Sequence, residues 1–210
     1  MENILVAGAN GTTGKKVVDL LRKTQYFNPV AMVRKEEQVN EFEKRGIDAV
    51  LADLEGNVSH ALSNIDKVVF AAGSGGKKVV AVDQEGAKKL VDSAKERNVK
   101  KFVMLSSMGA DKPENADELK EYLKAKHNAD EYLKDSGLNY TIVRPGSLNN
   151  DTGSGKIRLE QSFEEQGEIN RDDVAQTLVR TLHNDVANRE TFEILSGDTL
   201  IGKALDSVSE

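Results

Sequence analysis

Short apolar runs, largely β-branched, recur along the chain and are separated by longer Lys- and Glu-rich segments whose apolar positions follow a helical period. The runs predict strands at Ile4–Ala7, Pro29–Val33, Ala49–Leu51, Lys67–Ala71, Lys101–Leu105, Tyr140–Val143 and Thr191–Leu195. The segments between them predict helices at Gly14–Lys23, Gln38–Arg45, Val79–Arg97, Ala116–Asp135 and Asp172–Asn184. Strand and helix alternate, which predicts an α/β fold with a doubly wound parallel sheet of about seven strands and right-handed crossovers. Three irregular stretches, Gly73–Lys78, Met108–Asn115 and Ser147–Gly155, follow strands directly. In an open α/β sheet, ligands bind at those carboxyl ends.

Composition narrows the classes. The 210 residues suffice for one sizeable core, so a single domain over 1–210 is expected. Asp and Glu number 35 against 29 Lys and Arg, a net charge of −6, which argues against nucleic acid as a partner. The chain has no Cys, and its three His (His60, His127, His183) lack ligand-like spacing, so no metal site is expected. No apolar run reaches a membrane span, and the start MENILVAGANG lacks a cationic leader. A cytoplasmic protein, monomeric or homodimeric, is the expectation, with a small molecule as its substrate.

The first strand runs into Gly8-Ala9-Asn10-Gly11-Thr12-Thr13-Gly14, which opens a helix. Gly8 permits a sharp turn, Gly11 lets backbone approach a diphosphate, and Gly14 allows close helix packing. The helix start adds N–H donors and the positive end of its dipole, with Asn10 and the hydroxyls of Thr12 and Thr13 nearby. The alternative is a glycine-rich turn without a ligand. Arg34, followed by Lys35, ends the second strand twenty residues beyond Gly14, where dinucleotide folds read the adenosine ribose. An acid there accepts from a 2′-hydroxyl, whereas Arg34 suits a 2′-phosphate, so NADP(H) is favoured over NAD(H). A solvated surface arginine is the alternative. Asp53 and Leu54 follow the third strand, where Asp53 would lie near an adenine amino group or act as a turn residue. The small residues Ala71, Ala72 and Gly73 would leave room for ribose and diphosphate, or simply pack closely.

Chemistry enters at the fifth strand, which ends in Ser106 and Ser107, and on the following helix, where Tyr122 stands four residues before Lys126. That spacing puts both on one helix face. Ser107 would polarise a carbonyl, Tyr122 would supply a proton, and the Lys126 cation would make the phenol a better acid. A surface Tyr/Lys pair is the alternative reading.

Taken in order, GANGTTG, Arg34, Ser106-Ser107, Tyr122/Lys126, Tyr140-Thr-Ile-Val-Arg-Pro-Gly146 and Arg171-Asp-Asp-Val-Ala175 resemble the short-chain dehydrogenase/reductases of extended or atypical type. The nearest resemblance is to small NAD(P)H-binding proteins of the NmrA-like or sugar-epimerase-like kind, with biliverdin and flavin reductases more distant. The resemblance spans nearly the whole chain. It implies a single Rossmann-type domain with an abbreviated carboxyl-terminal substrate region, its substrate-side elements at about 146–171 and 184–210. It also implies that Pro145, Gly146, Ser147 and Leu148 contact the nicotinamide side, although Pro145 and Gly146 suit a turn on chemistry alone.

Two departures from the pattern matter. Extended members usually carry Asn where this chain has Asp83, which bears on the support of Lys126. Only about 25 residues separate Gly146 from the helix at Asp172, leaving little to grip a nucleotide-sugar. An NADP(H)-dependent oxidoreductase acting on a small carbonyl, quinone or flavin-like substrate is therefore the leading expectation. Nucleotide-sugar epimerase or dehydratase chemistry and a non-catalytic NADP(H) sensor are the alternatives. The polar stretch 149–155 is expected to form a mobile lid.

Overall fold

The computed structural model describes residues 1–116 and 119–209. Its eleven described strands are β1 (Glu2–Ala7), β2 (Phe27–Val33), β3 (Asp48–Leu51), β4 (Lys67–Phe70), β5 (Lys101–Leu105), β6 (Tyr140–Pro145), β7 (Ser147–Asn149), β8 (Lys156–Glu160), β9 (Glu168–Asn170), β10 (Glu190–Ser196) and β11 (Thr199–Leu200). Nine form one sheet in the order β11-β8-β10-β6-β5-β4-β1-β2-β3, and β7 pairs with β9. The seven expected strands are all present as its parallel part, from β3 across to β10. The count of seven is corrected by four short additions. β8 and β11 join antiparallel at the β10 edge, and β7 and β9 pair apart from the main sheet.

Both faces of the sheet are covered, and the strands show why their sequences read as continuous apolar runs. Ile4 and Val6 face one core with Val17, Val18 and Leu21 of helix α1 (Thr12–Arg22) and Val174 and Leu178 of helix α5 (Arg171–Arg180). Phe42 of helix α2 (Glu36–Lys44) and Ile201 and Leu205 of helix α6 (Ile201–Asp206) complete that layer. Leu5 and Ala7 face the other core with Leu90 and Val91 of helix α3 (Glu85–Glu96) and Ala129 and Leu133 of helix α4 (Lys120–Asp135). No helix of the described residues is long and apolar enough to cross a membrane.

The helix expected over Val79–Arg97 is two pieces. Val79–Gln84 is a π-helical turn, and α3 follows it. The break has a local cause at each end: Asp83 turns inward to accept a backbone bond from Ser74, and a Cβ at Gly86 would lie 2.8 Å from Leu54 Cβ. The next helix begins at Lys120 rather than Ala116, and residues 117 and 118 of the expected span lie outside the described residues.

Asn184, Val186 and Asn188 accept bonds from the Lys67 and Lys101 ammoniums, the first residues of β4 and β5, which puts 184–188 at the amino end of the sheet. From there β10 runs parallel to β6 back to the carboxyl end, where the Ile194 carbonyl accepts the Gly146 N–H. The expected lid over 149–155 is tethered. Gly153, Ser154 and Gly155 donate their N–H groups to Asp172 and Asp173 at the start of α5, and Arg171 holds the carbonyls of Leu148 and Asn149.

Candidate functional site

Strand order reverses at β1, which has β2 on one side and β4 on the other, so the crevice for a ligand opens beyond their carboxyl ends. The glycine turn sits there. Gly8 adopts φ +84°, and a Cβ on it would lie 2.6 Å from Ala72 Cα, so the turn after β1 is pressed against Ala71 and Ala72 after β4. Gly14 is equally constrained, because its Cβ would meet the Gly8 carbonyl oxygen at 2.1 Å. Gly11 differs: it is exposed, and a Cβ there would meet only that same oxygen, at 3.2 Å. Packing does not require Gly11; it keeps open the ground in front of the helix.

That helix starts bare. Gly11 is the N-cap of α1 with no side-chain cap, and no acid stands in the first turn. The leading N–H groups and the positive dipole end are thus left for an anion, beside Thr12, which is exposed, and Thr13, which is buried. Two enclosed polar atoms close to the turn, Asn10 Oδ1 and Ser74 Oγ, lack a hydrogen-bond partner in the protein. An open Gly11, an uncapped helix start and orphaned oxygens fit a dinucleotide diphosphate. Gly73, exposed on the β4 side, is backed by the Asp83 carboxylate, 3.3 Å from where its Cβ would stand.

Arg34 and Lys35 are both exposed at the end of β2, and Gln38 Oε1 accepts the Arg34 backbone N–H at 3.2 Å. Asp53 is exposed and closes an Asx turn by accepting the Glu55 N–H at 3.0 Å. Leu54 is buried against Gly86, so its side chain belongs to the core.

Past β5 and β6 the site is charged and mostly buried. Helix α4 presents Tyr122, Lys126 and Asp130 at successive intervals of four residues, hence on one face. Lys126 is 3% exposed, and its Nζ lies 5.7 Å from the centroid of the half-buried Tyr122 ring and 5.9 Å from that of Phe70. The same ammonium is 3.3 Å from the Leu105 carbonyl oxygen and 3.4 Å from Asp83 Oδ1.

The structure thus brings Tyr122 and Lys126 together, while Ser107 Oγ makes only a long contact, 3.4 Å to the Met108 carbonyl. Ser106 is buried, and its hydroxyl donates to Asp130 Oδ2 at 2.7 Å, which commits it to a bond within the protein.

Asp130 is joined by Arg144 Nε at 3.0 Å. Burial pushes the Asp130 carboxyl above its ordinary value, against the opposing pull of Arg144, the Ser106 hydroxyl and Lys126. Glu193, also buried, accepts the backbone N–H of Gly109 and of Phe163, tying two loops at this end of the sheet. Pro145 is buried at the end of β6, and its carbonyl accepts the Met108 N–H. Gly146 is required by packing, since its Cβ would lie 2.4 Å from the Gly167 oxygen. Ser147 and Leu148 belong to β7 rather than to a loop.

Asp130, Arg144 and Glu193 were not singled out from sequence as site residues. The i, i+4, i+8 spacing of Tyr122, Lys126 and Asp130 was the available signal for Asp130. Arg144 and Glu193 interrupt the apolar runs TIVRP and TFEIL, and buried charge in a central strand is the corresponding signal there.

Comparison with known proteins agrees with this geometry. Residues 8–185 match the family model described as NAD(P)H-binding. The chain is 41% identical over 210 residues to the uncharacterized sugar epimerase YhfK of Bacillus subtilis (strain 168), covering 96% of this chain and 98% of that protein. Among solved structures, a candidate NAD-dependent epimerase/dehydratase from Bacillus halodurans superposes with a TM-score of 0.91 at 41% identity, covering 99% of this chain and all of that one. The oxidoreductase ylbE from Lactococcus lactis superposes with a TM-score of 0.89 at 32% identity, covering 98% and 96% of the two chains.

Proposed function

From the premise that this chain belongs to the NAD(P)H-binding family, whose Rossmann-type fold it shares, we propose that it is an NADPH-dependent oxidoreductase acting on a small carbonyl, quinone or flavin-like acceptor. The observation that carries this reading is the juxtaposition at the carboxyl end of the sheet. An open, uncapped glycine turn lies at the switch point, and a buried lysine lies beneath a half-buried tyrosine two strands along.

The turn from Asn10 to Gly14 and the first N–H groups of α1 would hold the diphosphate, with Ala71, Ala72 and Gly73 alongside. Arg34 and Lys35 would take the 2′-phosphate, because a guanidinium forms paired, charge-assisted bonds with phosphate oxygens. Bound NADPH supplies a hydride. The chain's own part is to place the acceptor, exclude water and deliver a proton from the Tyr122 hydroxyl to the acceptor atom that gains negative charge. Lys126, positioned through the Tyr122 ring and the Leu105 carbonyl, supplies positive potential at that point. Ser107 would be a second donor to the acceptor.

Calorimetric titration with NADP, NADPH, NAD and NADH, repeated on Arg34→Ala, tests the cofactor assignment. Preferential binding of the phosphorylated forms, lost in the variant, is expected; absence of any dinucleotide binding overturns the reading. NADPH consumption unchanged by Tyr122→Phe with an accepted substrate removes the role given to that tyrosine.

The epimerase names of two relatives favour a second reading, nucleotide-sugar epimerase or dehydratase chemistry, for which the same Tyr/Lys pair would serve. The short span between β6 and α5, with its tethered 153–155 stretch, leaves little chain to enclose a nucleotide-sugar. Added thermal stabilisation by NADP plus nucleotide-sugars over NADP alone would decide for it.

A further inference from the structure

We propose that Glu193 is a positioning residue for the acceptor: its carboxyl group clasps the loop after β5, which carries Ser107, to the 161–167 loop, and so sets the width of the pocket in which the acceptor meets Ser107 and Tyr122. The inference deepens the oxidoreductase reading above and rests on it.

Glu193 lies in β10 in register with Arg144 of β6, so the two side chains leave the sheet on one face. Both are buried, at 2% and 4% exposure. A buried carboxyl group beside a buried guanidinium would ordinarily pair with it. Here the guanidinium is spent elsewhere, with Arg144 Nε and Nη2 each 3.0 Å from Asp130 Oδ2. The oxygens of Glu193 go to two backbone groups instead. Oε1 accepts the Gly109 N–H at 3.2 Å, and Oε2 accepts the Phe163 N–H at 2.8 Å. Two loops from distant parts of the chain thus meet across a single carboxyl group.

Each loop borders the site. Gly109, at φ +81°, follows Ser107 by two residues. Between them the Met108 N–H is held by the Pro145 carbonyl at 2.9 Å, and beyond them the Ala110 carbonyl accepts from His127 Nδ1 at 2.8 Å. The backbone after Ser107 is therefore fixed from three sides, while its hydroxyl, with only the 3.4 Å contact to the Met108 carbonyl, keeps donor capacity.

The second loop ends at Gly167, whose carbonyl accepts the Ser147 N–H at 2.9 Å, next to Pro145 and Gly146. Its outer fastening is exposed: Arg158 pairs with Glu165 at 2.6 Å and lies 5.0 Å from the centroid of the Phe163 ring. Solvent weakens a tie of that kind, whereas N–H bonds to a carboxyl group out of water are strong. Glu193 is thus the inner fastening that holds the two walls at one distance.

The test measures NADPH affinity, NADPH consumption with methylglyoxal, menadione and flavin mononucleotide as acceptors, and amide hydrogen exchange at Gly109 and Phe163, in the parent, Glu193→Gln and Arg158→Ala. Glutamine keeps one acceptor oxygen and sets an amide donor against the other N–H, so one loop is released. Glu193→Gln should speed exchange at Gly109 or Phe163 at least threefold. It should raise KM for an accepted acceptor at least fivefold, with NADPH affinity within twofold of the parent. Arg158→Ala, an exposed change, should loosen Phe163 from outside and speed exchange at Gly109 as well, although the arginine does not bond it.

An unchanged KM in Glu193→Gln, or an equal weakening of NADPH, would reduce Glu193 to a structural tie and overturn the inference. Exchange at Gly109 that stays at the parent rate in Arg158→Ala would mean that the loops move independently, and it overturns the inference without a substitution in the core. A parent that reduces none of the three acceptors fails the oxidoreductase reading itself, and the inference falls with it.

Discussion

The two ends of the sheet both bury lysines, and they use them in opposite ways. At the amino end Lys67 and Lys101 are each 1% exposed; Lys67 has three close acceptors, and Lys101 has two, with a third, the His183 carbonyl, at 3.4 Å. Lys67 reaches the Leu182 carbonyl at 2.8 Å, Asn184 Oδ1 at 2.6 Å and the Glu2 carboxylate at 2.7 Å. Lys101 takes Asn188 Oδ1 at 2.9 Å and the carbonyls of Val186 and His183. These ammoniums staple the segment after α5, whose carbonyls have no helix to continue into, onto the starts of β4 and β5. At the carboxyl end Lys126 has longer contacts and one buried counter-charge, with orphaned oxygens at Asn10 and Ser74 elsewhere in the crevice. A saturated buried cation is a fastening; one with protons to offer beside an open crevice is equipped for a ligand.

The largest expected effect breaks the fastening. Lys67→Met leaves Glu2, the Leu182 carbonyl and Asn184 without their ammonium, and removing one partner of a buried charge pair costs about 3 kcal/mol or more. Urea denaturation should show that loss, while NADPH affinity measured on the folded variant stays within about twofold of the parent. A matching loss of affinity would mean that the ends are not separable.

Tyr122→Phe inverts the experiment. The ring that contacts Lys126 is kept and only the hydroxyl goes, so stability should change by no more than about 0.5 kcal/mol. Turnover of an accepted substrate should fall by about a hundredfold, the ordinary contribution of a positioned proton donor. Rates should be compared at saturating NADPH, where a difference in cofactor binding does not enter.

How far this contrast was legible in the sequence depends on which forces decide each part. The parallel strands and the glycine turn were readable because apolar runs and GANGTTG are local patterns that a buried strand and a tight strand-to-helix turn both demand. The strands β7, β8, β9 and β11 were not, because segments such as KIRLE and EIN are short and polar, and they exist by pairing with distant partners. Lys67 and Lys101 read as ordinary charges at strand starts, since only the fold reveals that carbonyls from 182–186 lie over them. Asp83 was visible as a departure from pattern, but its two-sided contact with Ser74 and Lys126 is a tertiary fact. Ser106 was legible at the end of its strand, whereas the direction of its hydroxyl, toward Asp130, is likewise a tertiary fact.

The amino-end staple also carries a pH signature. Burial, with the neighbouring Lys67 charge, lowers Lys101 to about 8, while Asp185 pulls weakly the other way. An unfolded lysine titrates near 10.5, so between these values the unfolded chain binds the extra proton and stability rises with pH. The gain should reach about 2 kcal/mol by roughly pH 9.5 relative to pH 7, each unit of difference being worth about 1.4 kcal/mol. Denaturation midpoints across that range should climb in the parent and be flat in Lys101→Met. The raised Lys100 and Tyr132 values act above this window and do not mask it.

The smallest effect sharpens the carboxyl end alone. Arg34 is exposed at the end of β2, and its backbone, not its guanidinium, makes the bond to Gln38, so Arg34→Ala should leave the fold and its midpoint unchanged. A guanidinium on a 2′-phosphate contributes charge-assisted bonds that solvent screens at an exposed site, which limits the loss to about tenfold in NADPH affinity. NADH, with a hydroxyl in place of that phosphate, should bind the variant and the parent alike. The ratio of the two affinities is therefore the quantity to measure, at low and at high salt. A selective loss that shrinks as salt rises assigns the contact to the phosphate, whereas an equal loss for both dinucleotides would place Arg34 against the shared part of the cofactor and remove the stated basis for preferring NADP(H).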